Sequence, residues 1–69
     1  MRKQSRFSKL VSSRELTNQA LAAAVGYSVP TVRAWRAGRR RPSWGAVVLL
    51  SEVLRVRPSE IVRLLDAKE

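Results

Sequence analysis

Apolar residues recur along this chain at helical spacing in five short stretches, and each stretch is bounded by a capping or breaking signal. Phe7, Leu10 and Val11 mark a first helix over about Arg6 to Arg14, with weak helix formers at Ser12 and Ser13 near its end. Leu16 anchors the connection, and Thr17 is placed to cap a second helix from Asn18 to Val25, whose apolar face is Leu21, Ala22 and Val25. Gly26 breaks that run, because a residue without a β-carbon reaches positive φ at no steric cost. Ser28 caps a third helix, Val29 to Ala37, with Pro30 in the first turn where a missing N–H does no harm. Val32 and Trp35 face back toward Leu21 and Val25, and Gly38 closes the helix. Ser43 caps a fourth helix from Trp44 to about Leu54, with Trp44, Val47, Val48, Leu50, Val53 and Leu54 expected to bury. Pro58 opens a fifth helix to about Asp66 with Ile61, Val62 and Leu65 on its apolar side. The pattern predicts a compact five-helix, all-α domain over residues 6–66. Residues 1–5 are read as a flexible basic arm and 67–69 as a frayed end. Leu49 and Leu64 fall off the apolar stripes and are expected to be exposed.

The centre of the chain is the run from Asn18 to Gly38, two short helices joined by a glycine-containing turn. Ala22 is small where two helices crossing steeply come closest. This is the sequence picture of a helix-turn-helix. Any small all-α protein can contain such a pair, so the surface chemistry has to decide what the pair is for.

Charge does change the picture. Residues 1–41 hold ten basic side chains and a single acid, Glu15, whereas 42–69 hold four of each sign. The whole net charge of +9 therefore lies on the half that carries the two-helix motif, and it predicts a strong positive field toward a polyanion. Arg39, Arg40 and Arg41, followed by Pro42, form a basic loop just beyond the third helix, suited to clamping phosphates. With 69 residues and no cysteine or histidine, stability rests on helix packing alone. An enzyme is not expected: there is no His or Cys, the five acids are scattered, and no glycine-rich phosphate loop occurs. Nothing specifies a cofactor, a metal or a small-molecule ligand. The basic start runs into Phe7 and Ser8 and lacks the apolar core of a signal peptide, and the apolar run from Ala46 to Leu50 is far too short to span a bilayer. Charge alone leaves RNA open, but aromatics for stacking on unpaired bases are scarce, with Tyr27 as the one candidate.

The stretch from Leu16 to Leu65 resembles the Cro and phage-repressor (Xre-like) helix-turn-helix family, a lambda-repressor-like fold. The resemblance rests on Leu16-Thr17, Leu21-Ala22, Gly26, Ser28, Val32 with Trp35, Gly38, Pro42-Ser43 and the apolar last helix entered near Val56. It implies a DNA-binding domain whose second motif helix lies in the major groove while the first crosses the backbone. Carried over position by position, it implies Ser28, Val29, Pro30, Arg33, Ala34 and Ala37 as groove-facing. It implies phosphate contacts from Thr17, Asn18 and Gln19, and from the segment after Gly38. It also implies a homodimer on palindromic sites, to which Leu49 and the last helix would contribute. The expected setting is the cytoplasm of a prokaryotic or phage-infected cell.

Two departures from the family pattern stand out. Val29, Pro30 and Ala34 occupy positions where relatives often carry polar base readers, so hydrogen-bond readout falls mostly on Arg33, whose fork suits guanine O6 and N7. A charged pair that many relatives form between the first and third helices is replaced by Val11 and Arg36 together, which leaves Arg36 expected to be free for a phosphate or a base. The leading expectation is a small sequence-specific regulator of double-stranded DNA. An architectural DNA-bending factor such as an excisionase stays open, as does a protein-binding antitoxin or inhibitor module.

Overall fold

The computed structural model describes residues 5–66, which form five helices: α1 (Arg6–Ser13), α2 (Asn18–Val25), α3 (Val29–Ala37), α4 (Trp44–Leu54) and α5 (Pro58–Asp66). The starts of α2, α3 and α4 have a local chemical reason. Thr17, Ser28 and Ser43 turn their hydroxyl oxygens onto the backbone N–H groups of Ala20, Thr31 and Ala46, satisfying donors that the helix itself cannot. Gly26 and Gly38 end α2 and α3 in the left-handed conformation, both at φ 78°, where a side chain would be strained.

The helices wrap one core. Phe7 and Val11 of α1, Leu21, Ala22 and Val25 of α2, Val32 and Trp35 of α3, Ala46, Val47, Leu50 and Leu54 of α4, and Ile61 of α5 are all buried. α2 packs against α3 and α4, α1 against α3 and α5, and α4 against α5. Trp44 apart, the expected apolar faces are the observed ones, with Val48, Val53, Val62 and Leu65 half-buried at their edges. Leu49 is 39% exposed as expected, whereas Leu64, expected to be exposed, is half-buried against the core.

Three further expectations need correction. The first concerns Trp44, which is not in the core but 64% exposed. It is the first residue of α4, and helical side chains lean toward the N-terminus, so no earlier turn of its own helix lies beneath it. The second concerns Ser5, assigned to the arm by its polar neighbours. Its Oγ accepts from the Ser8 N–H as the cap of α1 and donates to the Arg36 carbonyl at 3.0 Å. The rest of the arm, 1–4, and the end, 67–69, lie outside the described residues.

The third correction concerns Arg36, whose guanidinium is not free. Its Nε donates to Ser8 Oγ at 3.0 Å, one Nη to Asn18 Oδ1 at 2.7 Å, and the other Nη to Ser12 Oγ at 2.9 Å and the Ser8 carbonyl at 3.3 Å. One planar fork thereby joins the last turn of α3 to α1 and to the first residue of α2. Ser8 is 6% exposed, a small buried polar residue that only makes sense with such a donor over it. A second arginine does similar work elsewhere: Arg14 Nε donates to the Leu54 carbonyl at 2.9 Å and satisfies the end of α4.

Arg36→Met should destabilise the domain by about 2 kcal/mol, because it strands the Ser8 hydroxyl and removes a charge-assisted cluster. In a chain this small that is a fall in Tm of about 10 °C. Arg36→Lys should recover only part of it, since one ammonium cannot reproduce the fork. Thermal melts of the two variants beside Arg33→Ala, whose site is exposed, check this. Leu50→Ala should cost about 2–5 kcal/mol and leave most of the chain unfolded at 25 °C by circular dichroism. Leu49→Ala, one position along, should change stability by less than about 0.5 kcal/mol.

Candidate nucleic-acid interface

The outward side of α3 is short and sparsely polar. Val32 and Trp35 point into the core, Val29 packs partly against it, and Arg36 is tied to α1, which leaves Pro30, Arg33, Ala34 and Ala37 on the outer side. Pro30, Arg33 and Ala37 are exposed, Val29 and Ala34 are half-buried, and Ser28 is exposed at the cap. Positions 30, 33, 34 and 37 share one face at helical spacing. On that face Arg33 is the sole side chain with hydrogen-bond donors. Ser28 is engaged locally: its Oγ lies 2.8 Å from Thr31 Oγ1 and accepts from the Thr31 N–H.

The flanks are set by the turns on either side. At the start of α2, Thr17 and Gln19 are exposed and Asn18 is half-buried, with its Oδ1 taken by Arg36. The bond between Asn18 and Arg36 holds this end of α2 against the last turn of α3. Beyond Gly38 the loop is pinned at both ends. The Arg39 and Arg40 N–H groups donate to the Ala34 carbonyl at 2.9 and 3.3 Å, and Pro42 is buried. Arg39, Arg40 and Arg41 are all exposed. Arg41 pairs with Asp66 of α5 at 2.5 Å, both side chains more than half exposed, so the pair is weak and open to exchange with another anion. Over Trp35 and Leu65 these three arginines rim a recess of about 220 Å³.

Of the candidate residues, the structure therefore brings Pro30, Arg33, Ala34 and Ala37 onto one side of α3, leaves Val29 at the edge of that side, half-buried against the core, and sets Arg39, Arg40 and Arg41 in the loop that follows. Thr17, Asn18 and Gln19 lie at the beginning of the helix before it. Arg36 stands apart from them, at the seam between helices. Sequence reasoning missed that seam, although a signal was there: Ser5, Ser8 and Ser12 recur at helical spacing and make a small polar stripe that can seat a long cation. Tyr27, the one candidate for stacking, packs edge-on against Trp35 with ring centroids 5.0 Å apart. Among the described residues no group of three His, Cys, Asp or Glu could hold a metal ion, and no helix is long and apolar enough to cross a membrane.

The family profile described as helix-turn-helix matches residues 9–61, most of the chain and the whole of the two-helix motif. No curated protein and no solved structure matches the chain. Profile, turn geometry and exposed basic loop agree, and the chain belongs to the helix-turn-helix family of Cro and phage-repressor (Xre-like) DNA-binding domains.

Proposed function

We propose that this domain is a sequence-specific regulator that seats α3 in the major groove of double-stranded DNA. The observation that carries the reading is the isolation of Arg33: one exposed guanidinium on an otherwise apolar outer face, with an exposed arginine loop immediately beyond the helix. Val29, Pro30, Ala34 and Ala37 bring no donor to base edges in the groove. They pack on thymine methyls and let the helix approach closely, while Ser28 adds a hydroxyl at its entrance. Arg33 then supplies the bidentate contact to a guanine, worth about 1–3 kcal/mol of discrimination.

Affinity comes from the flanks. Arg39, Arg40 and Arg41 on one side, and Thr17, Asn18 and Gln19 on the other, meet phosphates and set the register of the helix. Arg36 acts through position: by holding α3 against α1 and α2 it sets the angle at which the helix is offered. With a single arginine reading bases, the shape and deformability of the site carry much of the remaining preference. Two copies on a palindromic site fit the resemblance to repressors, with Leu49 and α5 as the surface through which they would meet.

Selection of bound duplexes from a random pool at two salt concentrations tests the reading. A recurrent consensus containing guanine is expected, and a palindromic one marks two copies. Arg33→Ala should erase the preference at one or two positions of each half-site while leaving general affinity in place. Arg40→Ala should weaken binding to all sequences and lower the slope of log K against log salt by about one. An Arg33→Ala profile identical to that of the parent would overturn the readout assignment.

A further inference from the structure

Helix α5 carries an acid where its own dipole disfavours one. Glu60 stands in the first turn, at the partial positive charge of the helix start, and Arg63 stands in the last turn, where a cation is favoured. Asp66 is the final residue of the helix and sits at the partial negative charge of the last carbonyls. Its local partner would be Arg63, three positions earlier. The carboxylate turns instead to Arg41, 25 positions away in sequence, with Oδ1 accepting from one Nη at 2.5 Å.

The way α5 meets the loop after α3 builds this pairing in. Leu65 lines the same recess as Arg39, Arg40 and Arg41, which sets the last turn of α5 beside the basic loop. The loop is held at Arg39 and Arg40 through the Ala34 carbonyl and at Pro42 by burial. The backbone of Arg41 therefore has a set station, and its side chain alone chooses a partner. Both members of the pair are more than half exposed, so the contact is open to competition and contributes little to the fold.

We infer that Asp66 is an internal competitor for the phosphate that Arg41 would meet: it holds the guanidinium in the free domain and is displaced when a duplex docks. The inference rests on the reading of this domain as a binder of double-stranded DNA and adds a regulation of that same site. A carboxylate and a phosphate engage a guanidinium through the same donors. A duplex that brings a phosphate to Arg41 must break the bond to Asp66, and it leaves an acid beside a polyanion. The cost falls on every sequence alike, because phosphate contacts carry no sequence information. It lowers the grip of a chain of net charge +9 on arbitrary polyanions, and it leaves the base contact proposed for Arg33 untouched.

A double-mutant cycle on duplex affinity separates this device from a stray negative charge. The parent, Asp66→Asn, Arg41→Ala and the double variant are titrated into a labelled mixed-sequence duplex and read by fluorescence anisotropy. The salt is about 0.1 M, where exposed charges more than ~10 Å apart are largely screened. Asp66→Asn should bind about twofold to fivefold more tightly than the parent, the scale of an exposed ion pair. The gain should be the same on a duplex carrying the selected consensus. In the Arg41→Ala background the same substitution should change affinity by less than about 1.5-fold, because only a screened general charge is then removed. Thermal melts of Asp66→Asn and the parent should agree within about 4 °C, so that tighter binding is not better folding. An equal gain with and without Arg41 overturns the inference and makes Asp66 a distant like charge. Asp66→Asn binding no more tightly than the parent also overturns it, and leaves the functional reading standing. Failure of all four chains to bind any duplex overturns the functional reading, and this inference with it.

Discussion

The Arg36 fork is the constraint on which the interface depends. Helix α3 has nine residues, too few to hold its orientation by its own helical stability, and Val32 and Trp35 are the side chains that it buries fully in the core. Two apolar anchors at i and i+3 fix which face is inward but leave the helix free to rock along its axis. Arg36 removes that freedom at the far end. Its planar guanidinium reaches Ser8, Ser12 and Asn18 at once, and Ser5 donates to its carbonyl, so the last turn of α3 is held from both backbone and side chain. Because the fork is planar and its donors point in set directions, the bond pattern tolerates little rotation.

The same node explains how a domain with so few polar core groups remains well determined. Serine at position 8 lets α1 approach α3 closely, and the guanidinium fills the space with satisfied hydrogen bonds. No buried side-chain nitrogen or oxygen among the described residues is left without a partner. A buried polar contact of this kind gives specificity of arrangement more than raw stability, which the apolar core provides. Arg14 repeats the strategy at the end of α4, so two of the arginines that inflate the net charge serve the fold.

The remaining basic groups divide by place. Arg33 stands on the outer face of α3, and Arg39, Arg40 and Arg41 stand beyond its end in a loop tied down through Ala34 and Pro42. A loop restrained in this way presents charges without first having to order itself, which lowers the entropic cost of meeting a charged partner. Arg41 already faces Asp66, a weak exposed pairing that a phosphate can replace at little cost.

The sequence by itself determined the helices, their caps and their inward faces. Those features follow from local rules: a hydroxyl before a helix, a glycine after it, and apolar residues every three or four positions. Thr17, Ser28, Ser43, Gly26 and Gly38 were legible for that reason, as was the concentration of positive charge around the two-helix motif. What only the tertiary structure decided is where long side chains end up. Arg36 reads as a free surface cation along the chain, yet residues 18 to 28 positions away supply its acceptors. Trp44 reads as core by its spacing, yet its place at the first turn of α4 leaves no packed layer beneath it. Periodicity assigns a face to a backbone position. It does not say whether another helix arrives to cover that face, and that depends on how all five pack together.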